Sequence, residues 1–238
     1  MLLTPATCSQ PTAAPAARAP FVPRSSGRPN LILILTDDQR WDTVGLEHPR
    51  DGVTPVMPYV TNELASSGVT FPNGFVTTAL CCPSRASILT GEYAHNTGIH
   101  KNGPPDGGFQ SFNDTSTVAT WLQSAGYRTA LVGKYLNGYA TGSPCVPPGW
   151  DEWHVFVQVK FYDYDFNDNG VVTRYGTAPA DYSQNILTQR ALQFIDDSAG
   201  RPFFLYFAPK APHGPASPGA RTAGSRSSVR TRSACGCR

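Results

Sequence analysis

The sequence predicts an α/β protein with a mainly parallel central sheet flanked by helices. Three stretches carry that expectation. "LILIL", Leu31 to Leu35, is an apolar run of strand length between Pro29 and the polar "TDDQ", the form of a central strand buried on both faces. "STVATWLQSAGYRTALVGKY" reads as a helix followed by a strand, and "DYSQNILTQRALQFIDDSA" leading into "PFFLYFAPKAPH" repeats that unit. Helices alternating with strands serve as crossovers between parallel neighbours and cover the sheet they cross.

The remaining elements follow in chain order. "PYVTNELASSG" predicts a helix over Pro58 to Ser67 closed by Gly68, with "VTFPNGFV" extended after it. "SRASILTG" has helical spacing at Ala86, Ile88 and Leu89 and ends at Gly91. "FYDYDFNDNGVVTRY", Phe161 to Tyr175, reads as a hairpin turning at Asn169-Gly170, a strong two-residue turn signal. Asp165, Asn167, Asn169 and Gly170 also fit the start of a calcium-binding EF-hand loop. Its twelfth position is Gly176 rather than Glu, which argues against that reading. In the last helix, Ile186, Leu187, Ala191, Leu192, Phe194 and Ile195 form the apolar stripe.

Composition narrows the function. With 238 residues, 40% of them hydrophobic and 15% charged, the chain can bury a sizeable core. The net charge is only +2. The basic surplus sits in the last stretch, at Arg221, Arg226, Arg230, Arg232 and Arg238, so nucleic acid is not an indicated partner. No run is long enough for a membrane span. Residues 1–28, rich in Ala, Pro and Ser, read as a disordered leader or the remnant of an export signal, with Cys8 a lipoprotein cysteine under the latter reading. Residues 216–238 read as a disordered tail, in the manner of an out-of-frame translation. That leaves 29–215 as the domain. The six cysteines do not form the framework of a small disulfide-rich fold.

Two groups of residues carry chemistry. Asp37 and Asp38 follow the first strand, at the end where open α/β sheets build their sites. An Asp pair there is either a capping feature or a pair of hard oxygen ligands for Ca²⁺ or Mg²⁺. The second group is Cys81-Cys82-Pro83-Ser84-Arg85, followed by "ASILTG". It matches C-x-P-S-R-x-x-x-L-T-G, the signature of the sulfatases, and the chain resembles a type I sulfatase of the alkaline-phosphatase-like superfamily.

That resemblance implies sulfate-ester hydrolysis. In the family the first motif cysteine, here Cys81, is oxidised by a formylglycine-generating enzyme to an aldehyde. Its hydrate carries two hydroxyls on one carbon; one attacks sulfur and the other later expels sulfate, a covalent mechanism with its own release step. Arg85 orients and neutralises that hydrate. "RPNLILILTDDQ" resembles the first strand and metal-binding Asp pair, making Asp37, Asp38 and the modified Cys81 ligands of Ca²⁺, with Mg²⁺ as the alternative. "GKYLNGY" assigns Lys134 to sulfate binding and to the leaving oxygen. "APHGP" makes His213 the general acid.

The departures from the pattern are informative. Leu136 stands where many sulfatases have a histidine, as in the N-acetylglucosamine-6-sulfatase branch, which "LCCPSRASILTG", "GKYLN" and "PPGWDEW" also resemble. Substrates implied are 6-sulfated N-acetylglucosamine or aryl sulfates. The resemblance covers Arg28 to Pro215 and stops, whereas family members continue for roughly as many residues again and supply further metal ligands. The expectation is therefore the N-terminal part of a sulfatase, with an inactive fragment as one alternative and a phosphonate or phosphodiester hydrolase of the same superfamily as another. The resemblance implies an extracytoplasmic or secreted protein, and a cytoplasmic one if the N-terminus is complete as written.

Overall fold

The computed structural model describes residues 27–47, 52, 55–139 and 145–215; the predicted leader, Cys8 and the predicted tail lie outside them. Six strands form one sheet: β1 (Leu31–Ile34), β2 (Arg128–Gly133), β3 (Glu152–Phe156), β4 (Tyr164–Asp168), β5 (Val171–Tyr175) and β6 (Phe203–Ala208). Their order is β1-β6-β2-β3-β4-β5. The first four neighbours run parallel, while β3–β4 and β4–β5 are antiparallel. The sheet is mixed, with its parallel part at the centre of the prediction. The hairpin turns at Asn169 and Gly170, both at positive φ (51° and 92°), as a two-residue turn of this kind requires.

Helices cover both faces. α1 (Cys81–Thr90), α2 (Ala94–Thr97) and α3 (Val118–Ser124) lie on one side, and α4 (Ser183–Asp197) lies on the other. The split follows from strand periodicity, because successive side chains point to opposite faces. Leu131, Phe204 and Tyr206 join Ala86, Leu89 and Ala119 in one buried cluster. Ala130, Val132, Phe203 and Leu205 join Leu187, Ala191 and Phe194 of α4 in the other. Residues 58–67 are helical as expected, with a π-helical core at Val60–Ala65.

One expectation fails. β1 is the edge of the described sheet and not a central buried strand. Among the described residues it pairs only with β6, and Ile32 and Ile34 are 50% and 55% exposed. Leu33 packs against the first core cluster. The opposite face of β1 is left open because α4 packs over β2, β3 and β6. A two-sided apolar pattern states what a strand can bury; its neighbours decide what it does bury. β3 carries no clear strand signal in the sequence, because "EWHVF" mixes charged and apolar residues.

Candidate active site

Register brings three chain ends together. Ile34 of β1 and Val132 of β2 both pair with Phe207 of β6, so the three strands leave the sheet along one edge. Asp37 lies just beyond β1, Lys134 directly follows β2, and His213 closes the turn after β6. The Asp37 amide donates to Ala211 O (3.2 Å) and the Lys134 amide to Ala208 O (2.8 Å), which locks these segments to one another. Gly133 permits the approach: at φ 125° a Cβ there would lie 2.0 Å from Ala208 O, so any side chain would displace Lys134.

α1 supplies the other half. Leu80 is extended and Cys81 opens the helix, while Gly91 at φ 73° closes it. Cys81 therefore sits at the positive end of the helix dipole. Cys82 is fully buried, and burial pushes its thiol up and away from the reactive thiolate. Of the motif pair, Cys81 is the one that reaches the site. Asn102 Oδ1 accepts the Cys82 amide at 2.9 Å, capping the first turn from a distant loop.

Three side chains converge on the Cys81 sulfur. Asp37 Oδ1 is 3.9 Å away, Asp38 Oδ1 4.0 Å and Lys134 Nζ 3.3 Å. Lys134 also contacts both Asp37 oxygens, at 3.0 and 2.7 Å. Arg85, one helical turn from Cys81, donates to Asp37 Oδ1 (3.2 Å) and Lys134 O (2.8 Å). Asp37, Arg85 and Lys134 are all buried; a buried carboxylate between two cations is the arrangement that low dielectric demands. Asp38 differs. It adopts φ 55°, a left-handed conformation unusual for a side-chain residue, and its side chain is 60% exposed. Such a conformation persists where the surrounding structure over-determines it.

His213 completes the cluster, with Nε2 3.3 Å from Asp38 Oδ2 and Nδ1 2.6 Å from Gly214 O. Among the described residues, Asp38, Cys81 and His213 each offer one ligating atom, all within 4.8 Å of one another. The donor chemistry fits a hard divalent cation only in part as written. Asp37 and Asp38 offer carboxylate oxygens, but a thiolate at Cys81 is soft; an oxygen in place of Sγ makes the set uniform. Three protein donors leave most of a Ca²⁺ shell of six to eight to be filled otherwise.

All six residues expected from the sequence meet here. Two others were missed: Asn102, and Lys210, which lies buried beside the His213 turn. Burial, opposed by Asp37, lowers the Lys210 ammonium below the ordinary lysine value. Leu136, at the position of the family histidine, is buried in the first core cluster. The calcium-loop alternative is excluded by contacts: Asn167 is buried, donating to Tyr139 Oη (2.8 Å) and accepting from the Gly170 amide (2.7 Å).

The model of the family described as Sulfatase matches residues 29–233. The chain belongs to the sulfatase family. It is 43% identical over 197 residues to the extracellular sulfatase Sulf-1 homolog of Caenorhabditis elegans, covering 79% of this chain and 26% of that protein. Human N-acetylglucosamine-6-sulfatase is 36% identical over 200 residues, covering 79% of this chain and 35% of that one. A solved structure in complex with its substrate D-glucosamine-2-N,6-O-disulfate is 29% identical with a TM-score of 0.65, covering 80% and 36%. The sulfatase chain thus spans between a quarter and a little over a third of the length of these relatives. No helix among the described residues is long and apolar enough to cross a membrane.

Proposed function

We propose that this chain carries the nucleophile half of a sulfatase site and hydrolyses sulfate esters, with Cys81, converted to formylglycine by a generating enzyme, as the nucleophile. The observation that supports this reading is the convergence of Asp37, Asp38 and Lys134 within 4.0 Å of the Cys81 sulfur, whose position the formylglycine oxygens would occupy. Formylglycine supplies, as its hydrate, a nucleophile that can also release sulfate. Asp37, Asp38 and the modified Cys81 would hold Ca²⁺, or Mg²⁺ in its place, and that ion would offset substrate charge.

The remaining work falls to fixed side chains. Arg85 and Lys134 present cations to the sulfate and to the attacking oxygen without reorganising, since both are held by Asp37. His213 Nε2 faces the open side of the cluster, where it can protonate the departing alcohol. Six-sulfated N-acetylglucosamine is the substrate this reading favours, on the names of the human relative and of the sugar complex, with aryl sulfates as simpler analogues. Extracytoplasmic action is proposed on the extracellular relative. The domain is assigned to 29–215.

The test is the mass of the tryptic peptide ending at Arg85, from protein made in its own host, together with sulfate release from an aryl sulfate with and without Ca²⁺. Aldehyde mass with calcium-dependent turnover is expected. An unmodified cysteine, or faster cleavage of the matched aryl phosphate than of the sulfate, would overturn the reading.

A further inference from the structure

Asp38, Cys81 and His213 offer three different kinds of donor, a carboxylate oxygen, a sulfur and an imidazole nitrogen, all within 4.8 Å of one another. Calcium and magnesium take oxygen ligands and leave sulfur aside. With Cys81 unmodified, the set therefore does not fit the hard cation that the family implies. Zinc does fit, because it binds thiolate, imidazole and carboxylate alike and takes three protein ligands where its fourth position stays open. Bonds of about 2.0 to 2.3 Å set tetrahedral edges of about 3.3 to 3.6 Å between such donors. His213 Nε2 and Asp38 Oδ2 already stand 3.3 Å apart, and Cys81 Sγ lies 4.0 Å from Asp38 Oδ1. Closing the set asks about 1 Å of side-chain movement, and Asp38 is exposed enough to make it.

We propose that, while Cys81 is unmodified, Asp38, Cys81 and His213 form a binding site for Zn²⁺, and that conversion of Cys81 to formylglycine exchanges this preference for Ca²⁺. The neighbours leave these three donors available. Both oxygens of Asp37 accept from Lys134, and one also accepts from Arg85. Lys134 reaches the Cys81 sulfur too, at 3.3 Å, yet its charge is already met by Asp37 at 2.7 Å. Asp38 is thus the carboxylate that a further cation can claim. His213 turns Nδ1 to the Gly214 carbonyl, 2.6 Å away, which leaves Nε2 facing the cluster. A carbonyl behind the far ring nitrogen is the outer partner that metal-bound imidazoles usually have. Lys210 steadies that carbonyl, donating to Gly214 O at 3.3 Å. Cys82 cannot stand in for Cys81, because it is fully buried. The Zn²⁺ site stands on this geometry; only the switch to Ca²⁺ rests on the sulfatase reading.

The experiment uses the full chain made in a host without the generating enzyme, so that residue 81 stays cysteine, and stripped of metal before use. Zn²⁺ alone is titrated by calorimetry, and Co²⁺ serves as the coloured probe of a sulfur ligand. The unmutated chain is expected to bind Zn²⁺ at least about 100-fold more tightly than Ca²⁺ and to show a thiolate-to-cobalt absorption band. Cys81→Ser is expected to remove that band and to weaken Zn²⁺ about 100-fold, while Asp38→Asn and His213→Gln each weaken it about 10-fold. Should Cys81→Ser fail to fold by circular dichroism, the other two variants decide. Absence of the cobalt band in the unmutated chain would overturn the proposal. So would Zn²⁺ held equally well by Cys81→Ser, which would place the ion on other cysteines, or an affinity untouched by both Asp38→Asn and His213→Gln. Protein made together with the generating enzyme is measured in parallel and is expected to lose the band and to prefer Ca²⁺. Zn²⁺ on the cysteine form without sulfate release from the converted form would sink only the sulfatase reading. Sulfate release without a Zn²⁺ site on the cysteine form would sink only the present proposal.

Discussion

Two clusters of charge are built into this sheet, and they differ in what they leave open. Around β3 and β4, Glu152 accepts from Arg128 (2.5 Å) and from His154 Nε2 (3.0 Å), while Asp168 meets His154 Nδ1 (2.5 Å) and Arg190 (2.6 Å). Both ring nitrogens and both carboxylates have partners. At the strand ends, Asp37 is equally well paired, but Asp38 is largely exposed, and Cys81 presents a sulfur to which three polar side chains converge. A network that satisfies itself holds a fold together; one whose atoms converge on a common point has room for a reactant. The distinction does not come from charge content. It comes from whether the carboxylates and ring nitrogens are already taken up by partners.

The most direct way to break the comparison is Cys81→Ala. On the open cluster this removes the reacting atom, and sulfate release is expected to fall about 10⁴-fold or more. Stability should move by less than about 1 kcal/mol, since the sulfur is only partly buried and fills no core position. Turnover assays and urea unfolding on the same preparation check both halves. Residual turnover within tenfold of the parent would remove Cys81 from the mechanism.

The closed cluster should answer in the opposite sense. His154→Ala leaves Glu152 and Asp168 without their shared bridge and is expected to cost about 3 kcal/mol, with turnover per folded molecule unchanged. Its pH signature follows from the shifts. Hydrogen bonding by His154, against the pull of burial, lowers Glu152 from 4.5 to about 2. Its stabilisation is complete above 4.5 and is lost as pH falls toward 2. Burial opposes the charged form of His154, but Asp168 and Glu152 outweigh it and raise its pKa above 6.5. That stabilisation is complete below 6.5 and is lost as pH rises through the folded value. Unfolding free energy should therefore peak between about 4.5 and 6.5, and His154→Ala should flatten the alkaline side. A parent profile with no decline above 6.5 would show that the bridge is not charged in the fold.

Much of this was legible before folding. Five contiguous residues from Cys81 to Arg85 carry a chemistry that no core packing asks for, and an Asp pair just past an apolar strand marks the edge where α/β sheets place their sites. The Asn169-Gly170 turn announced its hairpin because backbone sterics act locally. What escaped depends on neighbours far away in sequence. β1 looked central because its apolar pattern is two-sided, but only tertiary packing decides which side is covered. β3 was passed over because Glu152 and His154 look like surface residues until Arg128, Asp168 and Arg190 arrive beside them. Lys210 offered no periodicity at all; what holds it is the carbonyls of His213 and Gly214 and the Phe161 ring.

Asn102 sharpens the contrast at the smallest scale, because it belongs to the frame of the open cluster and touches none of its reacting atoms. Leu80, at the N-cap of α1, has no side-chain acceptor to offer, so an amide of the first turn is satisfied by Asn102 Oδ1 from twenty residues away. Replacing it with alanine should cost about 1 kcal/mol, the usual value of a lost N-cap. The same turn carries Cys81, so turnover should fall as well, by about tenfold or less. Asn102→Asp keeps the acceptor and adds a negative charge that the helix dipole favours. It should therefore recover the stability lost in Asn102→Ala, while its charge repels an anionic ester and leaves turnover low. A variant that recovered both together would mean that Asn102 acts on Cys81 only by holding the helix, and one that recovered neither would show that the cap is not what Asn102 provides.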